Sequence, residues 1–255
     1  VDRTGRVRAE EVQKRLRPET AVVAVMAANN ETGAVQPLGD IARACSAAGV
    51  PLHADWVQGL GKLPIDLAGC STASFSAHKA YGPKGIGVLY VARKTKLAAL
   101  LHGGPQENNV RAGTESPELA LAMLAAVRTA EAQRPAETTR CAELKTLFLE
   151  RLKSLAGNWS LTVPVQDALP QTIHLYFKGL VGNALVTAMD LAGFSLSSGS
   201  ACAAGSVETS HVLAAMGLAP EDAAGALRIS FGRGTRAEEL IACAETLARE
   251  AARLK

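Results

Sequence analysis

A run of small, serine-rich residues, Ser74-Phe75-Ser76-Ala77-His78-Lys79, reads as a strand that ends in a lysine and passes into Tyr81-Gly82-Pro83-Lys84-Gly85, too rich in glycine to be helix. A lysine at a strand's end is a candidate to form an imine with an aldehyde, because burial beside such a group lowers the amine pKa and leaves part of it unprotonated. Ser76 and His78, on either side of Ala77, can donate hydrogen bonds to a phosphate. The plainer reading of a lone lysine is a solvated surface charge, so Lys79 gains weight only from its company.

That company is Leu52-His53-Ala54-Asp55-Trp56-Val57-Gln58, where a second predicted strand ends in Asp55, 24 residues before Lys79. A carboxylate there can keep a pyridinium nitrogen protonated, and Gln58 can hydrogen-bond a phenolic oxygen on the same ring. Asp after a strand often merely caps a helix, but two such motifs together weaken that reading. A third segment, Asn29-Asn30-Glu31-Thr32-Gly33, follows the first strand and puts amide side chains at the same sheet edge, where open α/β sheets bind ligands. Asn-rich turns are also common for conformational reasons alone.

The elements that position these residues follow from periodicity. Strands at 21–27 and 51–55 flank an amphipathic stretch at 41–48, a βαβ unit and therefore a parallel sheet, with further strands at 72–76 and 87–91. From 117 to 155 the chain is rich in Ala, Leu, Glu, Lys and Arg, as for one long helix or two in tandem linking two lobes. Beyond it, strands at 161–165, 171–177, 195–197 and 226–231 alternate with helices at 182–191, 210–216 and 236–254. The expected organisation is part of a large α/β domain at 1–116, a linking helical segment at 117–155 and a small C-terminal α/β domain at 156–255.

The chain has 255 residues, 48% hydrophobic and 20% charged, and a net charge of +3 without long like-charge runs, which argues against a nucleic-acid arm or a membrane-surface patch. No apolar run is long enough to span a bilayer. Cys45, Cys70, Cys141, Cys202 and Cys243 are odd in number and form no C-x-x-C pair, which favours reduced thiols over disulfides or a metal site and fits a cytoplasmic home. Cys202 differs from the rest in lying among Ser197-Ser198-Gly199-Ser200-Ala201 and Ala203-Ala204-Gly205, small residues that describe a loop and not a packed element.

Six motifs in one order, NNETG, HADWVQ, SAHKAYGPKGIG, RAGTES (111–116), SSGSACAAG (197–205) and LRISFGR (227–233), make the chain resemble cysteine desulfurases of the NifS/IscS type, in the class V aminotransferase superfamily. The resemblance covers essentially the whole chain. It implies the aminotransferase-like fold type I of pyridoxal phosphate (PLP) enzymes: an α/β fold with a partial large domain, mostly parallel in its sheet, plus the small C-terminal domain. Carried over by residue, it makes Lys79 the imine-forming lysine, Asp55 the partner of the pyridine nitrogen and Gln58 that of the phenolic oxygen. Ser76 and His78 would bind the phosphate, with Thr114 reaching the phosphate of a second subunit in a homodimer. Asn30 would lie by cofactor and substrate, Arg228 would hold the substrate carboxylate, and Cys202 would accept sulfur from L-cysteine as a persulfide for a sulfur-acceptor protein. Acceptor choice, in iron–sulfur assembly, tRNA thiolation or another pathway, has no motif of its own.

The sequence departs from that family in two places. The glycine- and threonine-containing phosphate loop and ring-stacking histidine expected upstream of residue 1 are not found, so the chain is expected to lack an N-terminal part, supplied in one reading by a separate polypeptide. Trp56 stands where a small residue is usual after the aspartate. A selenocysteine lyase uses nearly the same residues, and a non-catalytic scaffold is the alternative from another class.

Overall fold

The computed structural model describes residues 1–198 and 210–255. In it the chain forms two compact units, one of Ala9–Ala27 and Leu38–Arg134, the other of Val1–Arg8, Ala28–Pro37 and Pro135–Lys255. In chain order the elements are α1 (Ala9–Arg15), β1 (Val23–Met26), α2 (Leu38–Ala47), β2 (Leu52–Asp55), β3 (Thr72–Ser76), β4 (Gly87–Val91) and α3 (Pro117–Leu155). There follow β5 (Trp159–Leu161), β6 (Thr172–Phe177), α4 (Gly182–Leu191), β7 (Ser197–Ser198), α5 (His211–Ala215), α6 (Pro220–Ala223), β8 (Ala226–Ser230) and α7 (Ala237–Arg253).

The first unit is built on a mixed sheet in the order β1-β2-β3-β4. β1 pairs parallel with β2 and β2 with β3, whereas β3 and β4 are antiparallel. α2 crosses from β1 to β2 and buries Leu38, Ile41, Ala42 and Cys45, one stripe at helical spacing. Burial of Leu38 and Ile41 contributes roughly 2 kcal/mol each. Along β2, Leu52 and Ala54 are buried while His53 and Asp55 on the opposite side are not, the alternation a pleated strand imposes. The carboxyl ends of β2 and β3 therefore carry Asp55 and Ser76.

The second unit has an antiparallel sheet in the order β5-β6-β8-β7. On one face Ile173, Leu175 and Phe177 of β6 and Leu227 and Ile229 of β8 form a core with Phe148 and Leu152 of α3, Leu185 and Met189 of α4, and Leu240 and Leu247 of α7. Against the other face a smaller cluster gathers Ala34, Val163, Leu213, Met216 and Ala226, with Tyr176 packed on it. His174 and Arg228 share that second face as direct cross-strand partners. α3 runs through Pro135, the residue at which the two units divide.

Candidate functional site

In the mixed-sheet unit the chemistry-bearing residues meet at the carboxyl ends of β2 and β3. The register sets Asp55 opposite Ser74, and the Trp56 N–H donates to the Ser74 carbonyl at 2.9 Å, so the chain leaves β2 still tied to β3. One Asp55 carboxylate oxygen accepts from the Val57 N–H at 2.8 Å, which fixes the side chain and leaves its second oxygen with no partner among the described residues. On the adjacent row His53 Nδ1 and the Thr72 hydroxyl share a hydrogen bond of 2.8 Å.

Past β3 the backbone enters a single tight turn, Ala77–Lys79. Ala77 and Ala80 are buried against Leu60 and Met123, and the Ala80 and Gly82 N–H groups both donate to the Ala77 carbonyl. A side chain at Gly82 would meet the Ala77 Cβ at 2.9 Å, so this closure needs glycine. With Ala77 and Ala80 turned inward, His78 and Lys79 face outward and are exposed. Ser76 Oγ and His78 Nδ1 lie 2.8 Å apart in a shared hydrogen bond, while the Lys79 amine has no hydrogen bond or ion pair among the described residues.

Gln58 follows in a hydrogen-bonded turn, where the Gly59 and Leu60 N–H groups donate to the Trp56 carbonyl and those of Lys62 and Leu63 to the Gly59 carbonyl. Lys62 Nζ donates to Gln58 Oε1 at 3.3 Å. Burial, with added repulsion from the Lys79 ammonium, pushes Lys62 down to about 8. Trp56 is buried beneath this turn, and a Cβ at Gly59 would fall 2.6 Å from its ring, so glycine is what admits the indole.

The antiparallel unit holds a second group. Arg228 on β8 donates from Nη1 to the Asn30 carbonyl at 2.8 Å and from Nη2 to the Ser197 hydroxyl at 3.2 Å, with its Nε buried and without a partner among the described residues. Beside it His174 is buried, sharing a 2.7 Å hydrogen bond between Nδ1 and the Thr162 hydroxyl. Burial, with the Arg228 charge second, holds that imidazole down at about 4. Asn29 shapes the turn around Asn30, its side-chain oxygen accepting from the Glu31 and Thr32 N–H groups at 2.9 Å each. The Ser210 hydroxyl donates to Glu31 at 2.6 Å.

Of the residues singled out in the sequence, Asp55, Gln58, Ser76, His78 and Lys79 thus share one edge of the mixed sheet, and Asn30 and Arg228 are bonded in the antiparallel unit. Thr114 is exposed in the segment before α3, its side chain without a hydrogen bond among the described residues. Cys202 lies outside the described residues. Lys62, His174 and Ser197 escaped the sequence reading as partners. Only the four-residue step from Gln58 to Lys62 carried a signal, while the other two pairings depend on strand register. The donor set at the mixed-sheet edge, a free amine, a fixed carboxylate, an amide and a hydroxyl–imidazole pair, suits a pyridoxal ring and its phosphate. Among the described residues no cluster of histidine, cysteine or carboxylate side chains could hold a metal ion.

Residues 1–242 match the family model for class-V aminotransferases. The chain is 37% identical over 242 residues to the cysteine desulfurase IscS of Dictyoglomus turgidum, covering 94% of this chain and 61% of that protein. It is 39% identical over 251 residues to the putative cysteine desulfurase IscS 1 of Bacillus subtilis, covering 97% and 66%. A solved NifS-like protein superposes with a TM-score of 0.88 at 31% identity, over 98% of this chain and 66% of that one. The chain therefore spans about two thirds or less of the length of these relatives. The expectation of a lacking N-terminal part is not upheld by these matches: they give the share of each relative that the chain covers, 61% to 66%, and do not assign the uncovered share to its N-terminal side. The mixed, mostly parallel sheet and the smaller antiparallel one are the architecture of PLP-dependent fold type I. The chain belongs to the class-V aminotransferase family, whose cofactor is PLP.

Proposed function

We propose that the chain carries cysteine desulfurase chemistry, converting L-cysteine to L-alanine and passing the sulfur through Cys202 to an acceptor protein. The observation that carries this reading is the edge of the mixed sheet, where an exposed Lys79 amine, unpartnered among the described residues, stands with a fixed Asp55 carboxylate and the Gln58 amide. PLP, when bound, supplies the electron sink that lets negative charge collect on substrate carbon. Lys79 takes the role of the imine-forming lysine and, once released, of the base that moves the α-proton. Asp55 holds the ring nitrogen protonated, Gln58 donates to the phenolic oxygen, and Ser76 and His78 bind the phosphate, with Thr114 assigned to the phosphate of a second subunit in a homodimer.

Arg228 and Asn30 are assigned to the substrate. Arg228 is held by two hydrogen bonds, to the Asn30 carbonyl and the Ser197 hydroxyl, and its planar guanidinium is the side chain best matched to a carboxylate. In the sulfur step the Cys202 thiolate attacks the substrate sulfur, the carbon–sulfur bond breaks with its electron pair left on carbon, and protonation there gives alanine. Cys202 is left as a persulfide, so the atoms balance with no outside oxidant. The relatives named as cysteine desulfurases support this choice over other class-V reactions.

The test is to titrate the protein with PLP, reduce with borohydride and locate the adduct by peptide mass spectrometry. The adduct is expected on Lys79 and absent in Lys79→Ala; an adduct elsewhere sinks the assignment. With cysteine as substrate, Cys202→Ala is expected to lose persulfide formation, and transfer at the parent rate would remove Cys202 from the mechanism.

A further inference from the structure

Lys62 combines burial with an odd choice of partner. It is half-buried, and among the described residues no carboxylate comes within ion-pair distance of its ammonium. A cation withdrawn from water without an anion is costly, and such arrangements persist where another group needs the charge. Among the described residues its hydrogen-bond partner is the Gln58 side-chain oxygen alone.

The turn that brings the two together has little freedom. Gln58 and Lys62 are four residues apart in a hydrogen-bonded turn that Gly61 bends, and their side chains meet with Nζ 3.3 Å from Oε1. Gly61 has φ +68°, and a Cβ there would sit 2.7 Å from the Ala130 Cβ, while Gly59 is pressed against Trp56. Close packing of the Ala130 methyl and the Trp56 ring against the two glycines thus restricts where the Gln58 and Lys62 side chains start.

An amide offers an acceptor on one edge and two donors on the other, and an ammonium can only donate. Lys62 must therefore meet Oε1, and Gln58 Nε2, which has no hydrogen bond among the described residues, is left on the far edge. We infer that Lys62 is a positioning residue that locks the Gln58 amide with its N–H edge toward the cofactor, so that the phenolic oxygen of PLP meets a donor and never a carbonyl. The inference rests on the reading of Lys79 and Gln58 given above. Without Lys62 the amide can present either edge, and its oxygen edge repels an anionic phenolate. The other titratable groups of these segments are His53 and Asp55 on β2 and His78 and Lys79 beyond β3; none of them bonds to Gln58.

The test compares PLP with its methyl ether at the phenolic oxygen, which keeps the aldehyde, ring nitrogen and phosphate but cannot carry the anion. Dissociation constants are measured by absorbance titration for the parent protein, Lys62→Met, Lys62→Arg and Gln58→Glu, with melting curves for each. Lys62→Met is expected to weaken PLP about tenfold, the scale of one hydrogen bond to a charged acceptor, and to leave the ether within about twofold. Lys62→Arg, which can only donate, restores the preference for PLP. Gln58→Glu, which cannot donate, loses it with Lys62 in place and so reports even if Lys62→Met does not fold. Equal weakening of both ligands, or an unchanged preference in Gln58→Glu, overturns the inference. If the parent forms its Lys79 adduct yet Lys62→Met keeps the PLP preference, the inference alone fails; a parent with no Lys79 adduct sinks the reading of the site and this inference with it.

Discussion

His174 is a base kept neutral by the fold. Its pKa of about 4 lies below the ordinary 6.5 because burial strips its water, with the Arg228 charge adding to the effect. Between those two values the unfolded chain binds a proton that the folded chain refuses, so stability rises with pH across that window and falls as pH drops below 6.5. Acidifying from neutrality to pH 5 is expected to cost about 2 kcal/mol from this one side chain. Urea midpoints at the two pH values check it, and His174→Asn, which cannot titrate there, should flatten the difference; an equal acid loss in both proteins would move the cause elsewhere. Arg228→Lys keeps the charge but gives up the planar fork, and is expected to raise the KM for cysteine about tenfold or more with a smaller effect on kcat. At this scale the sequence was legible where the chemistry is contiguous, as in Ser76-Ala77-His78-Lys79, and silent where it is made by register. Nothing in the string predicts that His174 on β6 will face Arg228 on β8.

Most elements could be placed from periodicity. Strands expected at 72–76 and 87–91 are found as Thr72–Ser76 and Gly87–Val91, and the stretch from 117 to 155 is one helix, Pro117–Leu155. The strand expected at 161–165 instead pairs as Trp159–Leu161, because Pro164 has no N–H to give a ladder and leads into a tight turn at Val165–Asp167. α1 had no clear pattern to announce it, and it buries no residue. Trp56, the departure from the family pattern, is accommodated by Gly59 at the cost of an indole N–H that is buried without a partner among the described residues. Replacing an orphaned donor with carbon removes a desolvation penalty, so Trp56→Phe is expected to lie within about 1 kcal/mol of the parent, unlike the 3–5 kcal/mol typical of truncating a large core ring to alanine. Equilibrium denaturation decides; a loss in the higher range would mean that ring volume, and not the N–H, dominates there.

For the molecule as a whole, buried bases and buried thiols bracket the pH of greatest stability. Lys62 and Lys145 are pushed down to about 8 chiefly by burial, so each adds stability as pH rises from there toward 10.5. Burial raises the thiols of Cys45, Cys70, Cys141 and Cys243, the last to about 12, and each loses stability as pH climbs past 9. With His174 acting on the acid side, the stability maximum is expected near pH 9. A denaturation series across neutral and alkaline pH tests this, and a maximum below pH 7 would contradict it. At this scale a contiguous reading of the sequence could not reveal that residues 1–8 and 28–37 fold with 135–255, since that association is made by pairing and packing far along the chain. The same division puts the chain's two tryptophans in different units, Trp56 in the mixed-sheet unit next to Asp55 in the chain and Trp159 in the antiparallel unit with its indole N–H on the Ala156 carbonyl. Each unit therefore carries its own built-in fluorophore, and with Trp56→Phe or Trp159→Phe the ultraviolet emission of a single indole follows one unit at a time.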